Sequence, residues 1–98
     1  MEEMGLRSLG IGYIGTSKIE TSTGNQEIVA NLKPESWTSF RLYSFTFKNY
    51  SPCTVIINGG NPIFLDTGEG FITSYIDAPI TSFIIVEAGI QYKFVGGL

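Results

Sequence analysis

Thr54-Val55-Ile56-Ile57, Asn58-Gly59-Gly60-Asn61-Pro62, Ile63-Phe64-Leu65-Asp66, Thr67-Gly68-Glu69-Gly70, Phe71-Ile72-Thr73-Ser74-Tyr75-Ile76, Asp77-Ala78-Pro79, and then Ser82-Phe83-Ile84-Ile85-Val86-Glu87-Ala88-Gly89-Ile90-Gln91-Tyr92-Lys93-Phe94: this stretch decides the fold. Short β-branched and aromatic runs are cut at regular intervals by glycine, asparagine, aspartate and proline. That rhythm predicts antiparallel strands laid down in sequence order. Thr54–Ile57 and Ile63–Leu65 are expected to pair around Asn58-Gly59-Gly60-Asn61, whose glycines supply positive φ. Phe71–Ile76 reads as the next strand. Ser82–Glu87 and Ile90–Val95 read as a last hairpin across Ala88-Gly89, with Ile90, Tyr92 and Phe94 facing inward.

Upstream, Ser39–Lys48 is the longest strand candidate. Phe40 and Leu42 share one face, and Tyr43, Phe45 and Phe47 share the other, a change of phase that a bulge, a crossing between two sheets or burial on both faces would produce. Gln26–Asn31 is a further strand, ended by Pro34, which removes a ladder donor. A helical turn over Pro34–Trp37 is an option. Thr16–Asn25 reads as a loop or hairpin tip, and Ile11–Ile14 as a short strand. The expected organisation is an N-terminal arm over residues 1–15 and one β domain over residues 16–98. The expected class is all-β, an antiparallel sandwich of jelly-roll type or a small barrel, with seven or eight strands.

Composition bounds the function. The 98 residues suffice for one core, with 43% hydrophobic and 13% aromatic residues. Charged residues are only 15%, against roughly 25% in ordinary globular domains. Few lysines are then available to guard strand edges, so the edges are covered within the fold or by other copies. A net charge of −3 with six scattered basic residues argues against nucleic acid as a partner. Cys53 has no second cysteine to pair with and suits a reducing compartment. The start lacks the pattern of a secretory signal, and no apolar run has the length of a membrane span, so a soluble protein made in the cytoplasm and not secreted by a signal peptide is expected.

Candidate chemistry is sparse. With no histidine in the chain, a Ser–His nucleophile is excluded and Cys53 has no activating partner. Asp66, Glu69, Asp77 and Glu87 are better suited to turns than to a carboxylate pair across a cleft. A calcium site at Asp66, Thr67 and Glu69 lacks the dense oxygen spacing of such loops. Asn49-Tyr50-Ser51 matches a glycosylation sequon by coincidence. No cofactor or metal is expected. The aromatics Trp37, Tyr13, Tyr43, Tyr50 and Tyr75 are candidates for an interface or a ligand-stacking platform, with Trp37 expected to be exposed or interfacial.

One resemblance adds to this. The run Phe45-Thr46-Phe47-Lys48-Asn49, then Val55–Asn58, Ile63–Leu65, Gly68-Glu69-Gly70-Phe71, Ile80–Ile85 and Gly89–Tyr92, resembles small bacteriophage virion proteins of the head-decoration (cement) or tail accessory type. The resemblance lies in a rhythm of strands and glycine turns over the last half of the chain. It implies a non-enzymatic structural role in the virion, a homo-oligomer bound to a capsid or tail protein, and an N-terminal arm reaching a neighbour. The alternative expectation is a carbohydrate- or receptor-binding β module that meets a glycan through its exposed aromatics.

Overall fold

The computed structural model describes residues 12–38 and 40–98. Nine strands follow one another: β1 (Tyr13–Gly15), β2 (Glu20–Thr23), β3 (Gln26–Glu27), β4 (Ser44–Asn49), β5 (Cys53–Ile57), β6 (Pro62–Leu65), β7 (Phe71–Thr73), β8 (Phe83–Ile85) and β9 (Ala88–Gly97). One sheet has the order β1-β9-β4-β7, with β2 also on β9, and the other has the order β3-β8-β5-β6. Every strand pairing is antiparallel. β1 and β2 lie end to end along β9, joined by Thr16, whose amide donates to the Phe94 carbonyl and whose Oγ1 accepts from the Phe94 amide. They act as one interrupted edge strand.

The topology has a simple origin. β5 pairs with β6, β4 with β7, β3 with β8, and β2 with β9. These pairs are nested, so the chain is one long hairpin whose successive rungs alternate between two sheets. This is the jelly-roll order, and it settles the choice between sandwich and barrel. The tip is Ile57–Gly60, where Asn58 and Gly59 both have positive φ and the Gly60 amide donates to the Ile57 carbonyl. Two positive-φ residues in a row match the right-handed twist of the flanking strands.

Alternation along each strand turns Phe45, Phe47, Val55, Leu65, Phe83, Ile85, Ile90, Tyr92 and Phe94 into the space between the sheets. Phe83 sits at the centre, its ring 4.7 Å from Phe47 and 5.0 Å from Phe45. The change of phase is real. Leu42 is buried and bridges to Ile80, Tyr43 is exposed instead of sharing a face with Phe45, and Phe45 is buried again. Gly96 makes room for this, because a Cβ there would lie 2.6 Å from the Leu42 side chain.

Several expectations are corrected. Among the described residues the strands number nine and the longest is β9 with ten residues, whereas the strand expected over Ser39–Lys48 begins only at Ser44. β8 and β9 do not form a hairpin, because they lie in different sheets. Both sheets face the same core, so alternation reports which side of a strand is buried but not which sheet holds it. Gln26–Asn31 yields a two-residue strand and then a 3-10 turn at Ala30–Leu32. Thr16–Asn25 contains β2, and Phe71–Ile76 stops being a strand at Thr73. Pro34–Trp37 is a turn closed by the Trp37 amide on the Pro34 carbonyl. Of the segment expected to be an arm, Tyr13–Gly15 belongs to the sheet, and residues 1–11 lie outside the described residues.

Candidate interaction site on the open flank

β6 and β7 are the free edges of the two sheets on one flank of the sandwich, joined by the turn Asp66–Gly70. Asn49, the last residue of β4, holds this turn. Its Nδ2 donates to the carbonyls of Asp66 at 2.8 Å, Ser51 at 3.0 Å and Leu65 at 3.4 Å, and its Oδ1 accepts from the Gly70 amide at 2.9 Å. The side chain is fully buried, so the sequon asparagine is committed to the fold. Gly70 has φ +69°, and a Cβ there would come within 2.6 Å of the Phe47 carbonyl oxygen. Within the turn, Glu69 Oε1 accepts from the Asp66 amide and Asp66 Oδ1 from the Thr67 amide.

Past this turn the flank is apolar and open. Phe71 and Thr73 face inward opposite Phe47 and Phe45, and Ile72 points out. A second turn, Ser74–Asp77, is fastened by Asp77 Oδ2 accepting from the Ser74 amide. It lifts Tyr75 and Ile76 into solvent, 81% and 79% exposed. Phe64 and Ile63 on β6 are 64% and 42% exposed. Among the described residues, five of the nine large exposed hydrophobic ones therefore fall on β6, on β7 or in the turn after it. A groove of about 350 Å³ opens here, its apolar walls from Ile57, Phe71, Ile72, Ala78 and Ile80 and its polar ones from Asn58, Thr73 and Asp77. Thr73 Oγ1 is buried and makes no hydrogen bond.

The aromatics singled out by sequence do not form one platform. Tyr13 and Tyr43 both lie by Gly97, at one end of β9. Tyr50 lies at the other end, its amide on the Gln91 carbonyl. Tyr75 stands on the open flank. Trp37, expected to be exposed or interfacial, is half-buried against the core, its ring 5.8 Å from Phe40.

The acidic residues serve the backbone. Asp66, Glu69 and Asp77 cap their own turns, while Glu87 Oε1 accepts from the Thr54 amide across the fold at 2.7 Å. Burial works to raise the Glu87 pKa, but this bond and that of the Thr54 hydroxyl lower it below the usual carboxylate range. Sequence reasoning passed over Glu27. It accepts from the Val29, Ala30 and Phe83 amides and from Ser82 Oγ, tying β3 and the 3-10 turn to β8. The only prior signal was its place just before Ile28 and Val29, an apolar pair that needs fastening. Burial, with the Glu87 charge nearby, pushes the Cys53 thiol up to about 11, so it packs as a small inert residue. Among the described residues, no group of three His, Cys, Asp or Glu side chains is placed to hold a metal ion. No described helix is long and apolar enough to cross a membrane.

No protein-family model matches the chain, and no curated protein and no solved structure is similar to it.

Proposed function

We propose that this chain is a non-enzymatic structural protein that assembles with itself and, as the virion resemblance implies, with a capsid or tail protein. The observation that carries the reading is the open flank, where β6, β7 and the turn after it expose Ile63, Phe64, Ile72, Tyr75 and Ile76, and where a groove opens beside Ile72. Jelly rolls serve in capsids and in lectins alike, so the fold by itself chooses neither. The scatter of the tyrosines favours assembly over an aromatic sugar platform.

Side chains carry this contact more than main-chain pairing does. β6 opens on Pro62, which has no N–H to offer, and β7 spans three residues. Covering the exposed parts of Phe64, Ile72, Tyr75 and Ile76 is worth on the order of 5–10 kcal/mol gross at the usual value per buried side chain. That is comparable to the rigid-body cost of association, so the flank holds copies together best when several contacts close a ring. Light scattering of the full chain over a dilution series tests this. The expected result is a closed oligomer that the double change Ile72→Lys with Ile76→Lys reduces to folded monomer. A parent that is monomeric throughout, or a double variant with unchanged mass, would overturn the proposal.

A further inference from the structure

We infer that the outer face of the five-stranded sheet binds an acidic saccharide, a sugar ring bearing sulfate or carboxylate, between Lys48 and Lys93. The register sets these two lysines directly opposite each other on β4 and β9, and both are exposed. They are two of only six basic residues in a chain of net charge −3, separated by 45 positions (93 − 48) and brought together only by the fold. Like charges placed opposite one another disfavour strand pairing, and the outward neighbours do not offset them. Thr46 and Val95 lie on one side, Gln91 and Tyr50 on the other, and Thr21 beyond Gln91. The nearest acidic turn carries Asp66 and Glu69, whose carboxylates accept amide hydrogens of that same turn. Lys48 Nζ stands 5.3 Å from the centre of the Tyr50 ring, a contact that steadies the ammonium at this place.

The surroundings select the ligand. An oxyanion with several oxygens spans two ammonium groups one strand apart. Thr21, Thr46 and Gln91 then offer hydroxyl and amide groups to the hydroxyls of the ring that carries it. A peptide carboxylate would satisfy the lysines and leave this polar surround unused. The site adjoins the assembly flank, since Thr46 on its rim pairs with Ile72, but its two lysines lie on β4 and β9.

The test is calorimetric titration of the full chain with three tetrasaccharides: one sulfated, one carrying carboxylates alone, and one uncharged. Binding of either acidic sugar, with the uncharged one at least about tenfold weaker, is the expected result, and the two acidic arms tell sulfate from carboxylate. Lys48→Gln and Lys93→Gln should each weaken binding by about fivefold, the upper range for an exposed ion pair. Lys33→Gln should leave it unchanged. The double variant should lose binding while holding or raising the parent's denaturation midpoint, because it removes a like-charge pair. Equal binding of the uncharged sugar, parental affinity in the double variant, or equal affinity for an oligoglutamate peptide would overturn the site.

Discussion

At the flank where β2 passes into β3, polar side chains join the two sheets; at the flank where β6 passes into β7, polar side chains fasten turns and apolar side chains remain in solvent. On the first flank, Ser22 is buried, donating from Oγ to the Glu87 carbonyl and accepting from the Ile90 amide. Gln26 accepts from the Thr23 amide and reaches across to the Tyr92 hydroxyl, and Glu27 gathers four donors. On the second, Asn49 fastens the turn, but beyond it Thr73 has a buried hydroxyl with no partner beside an open groove. Buried hydrogen bonds are directional and specify one geometry, whereas apolar exposure specifies only that something should cover it. The first flank is finished by the chain itself, and the second is the one proposed to be finished by assembly.

The largest effect is expected where the open flank is held. Asn49→Leu leaves three carbonyls and the Gly70 amide without their side-chain partner and should cost about 3 kcal/mol, read from the urea midpoint. A loss below about 1 kcal/mol would mean that the strands hold this turn unaided, and the contrast between flanks would reduce to their exposed side chains.

On the stitched flank, Glu27→Gln keeps the shape and removes the charge. The expected loss at pH 7 is about 1–2 kcal/mol, allowing for partial solvent screening. Burial acts to raise the Glu27 pKa, but the bonds from Ser82, Phe83, Ala30 and Val29 outweigh it and hold the value below 4.5. A carboxylate whose folded pKa is depressed contributes stability that is present above the unfolded value and lost as pH falls through the folded one. The acid limb of the stability curve below about pH 4.5 should therefore be shallower in Glu27→Gln, with Glu87, whose pKa is also lowered, still contributing to the slope. Parallel acid limbs in parent and variant would show that the charge does not serve as the stitch.

The smallest effect concerns Thr73. Replacing its unpartnered hydroxyl in Thr73→Val should leave the monomer about 0.5–1 kcal/mol more stable. A destabilised variant would show that the hydroxyl is satisfied within the groove, and the open flank would then be more finished than its apolar surface suggests.

How far these features were legible in the sequence follows from their range along the chain. The tip of the long hairpin was readable because Asn58-Gly59-Gly60 states its own geometry. The inward set on β9 was readable because its alternation is unbroken from Gly89 to Gly96. Lys48 and Lys93 were legible only as scattered charges, and Ile72 and Ile76 only as members of an alternating run. Tyr75 was marked as an exposed aromatic without the flank that gives it neighbours. The packing of Trp37 on Phe40 was not legible, because nothing local to Pro34–Trp37 reports that Phe40 lies beside it. Few lysines on the edges suggested covering by other copies, whereas the edge strands are also guarded by being two to four residues long.

By itself the sequence determined an all-β domain, the strand-and-turn rhythm of its second half, the residues that face inward there, and an inert cysteine. All of these rest on local sterics, alternation with period two and turn chemistry, which act within a few residues. Only the tertiary structure decided that β8 and β9 part into different sheets, that Asn49 and Glu27 hold distant turns, and that two lysines meet. Those outcomes depend on pairings between residues as far apart as Thr16 and Phe94, chosen by the shared core and invisible to any local pattern.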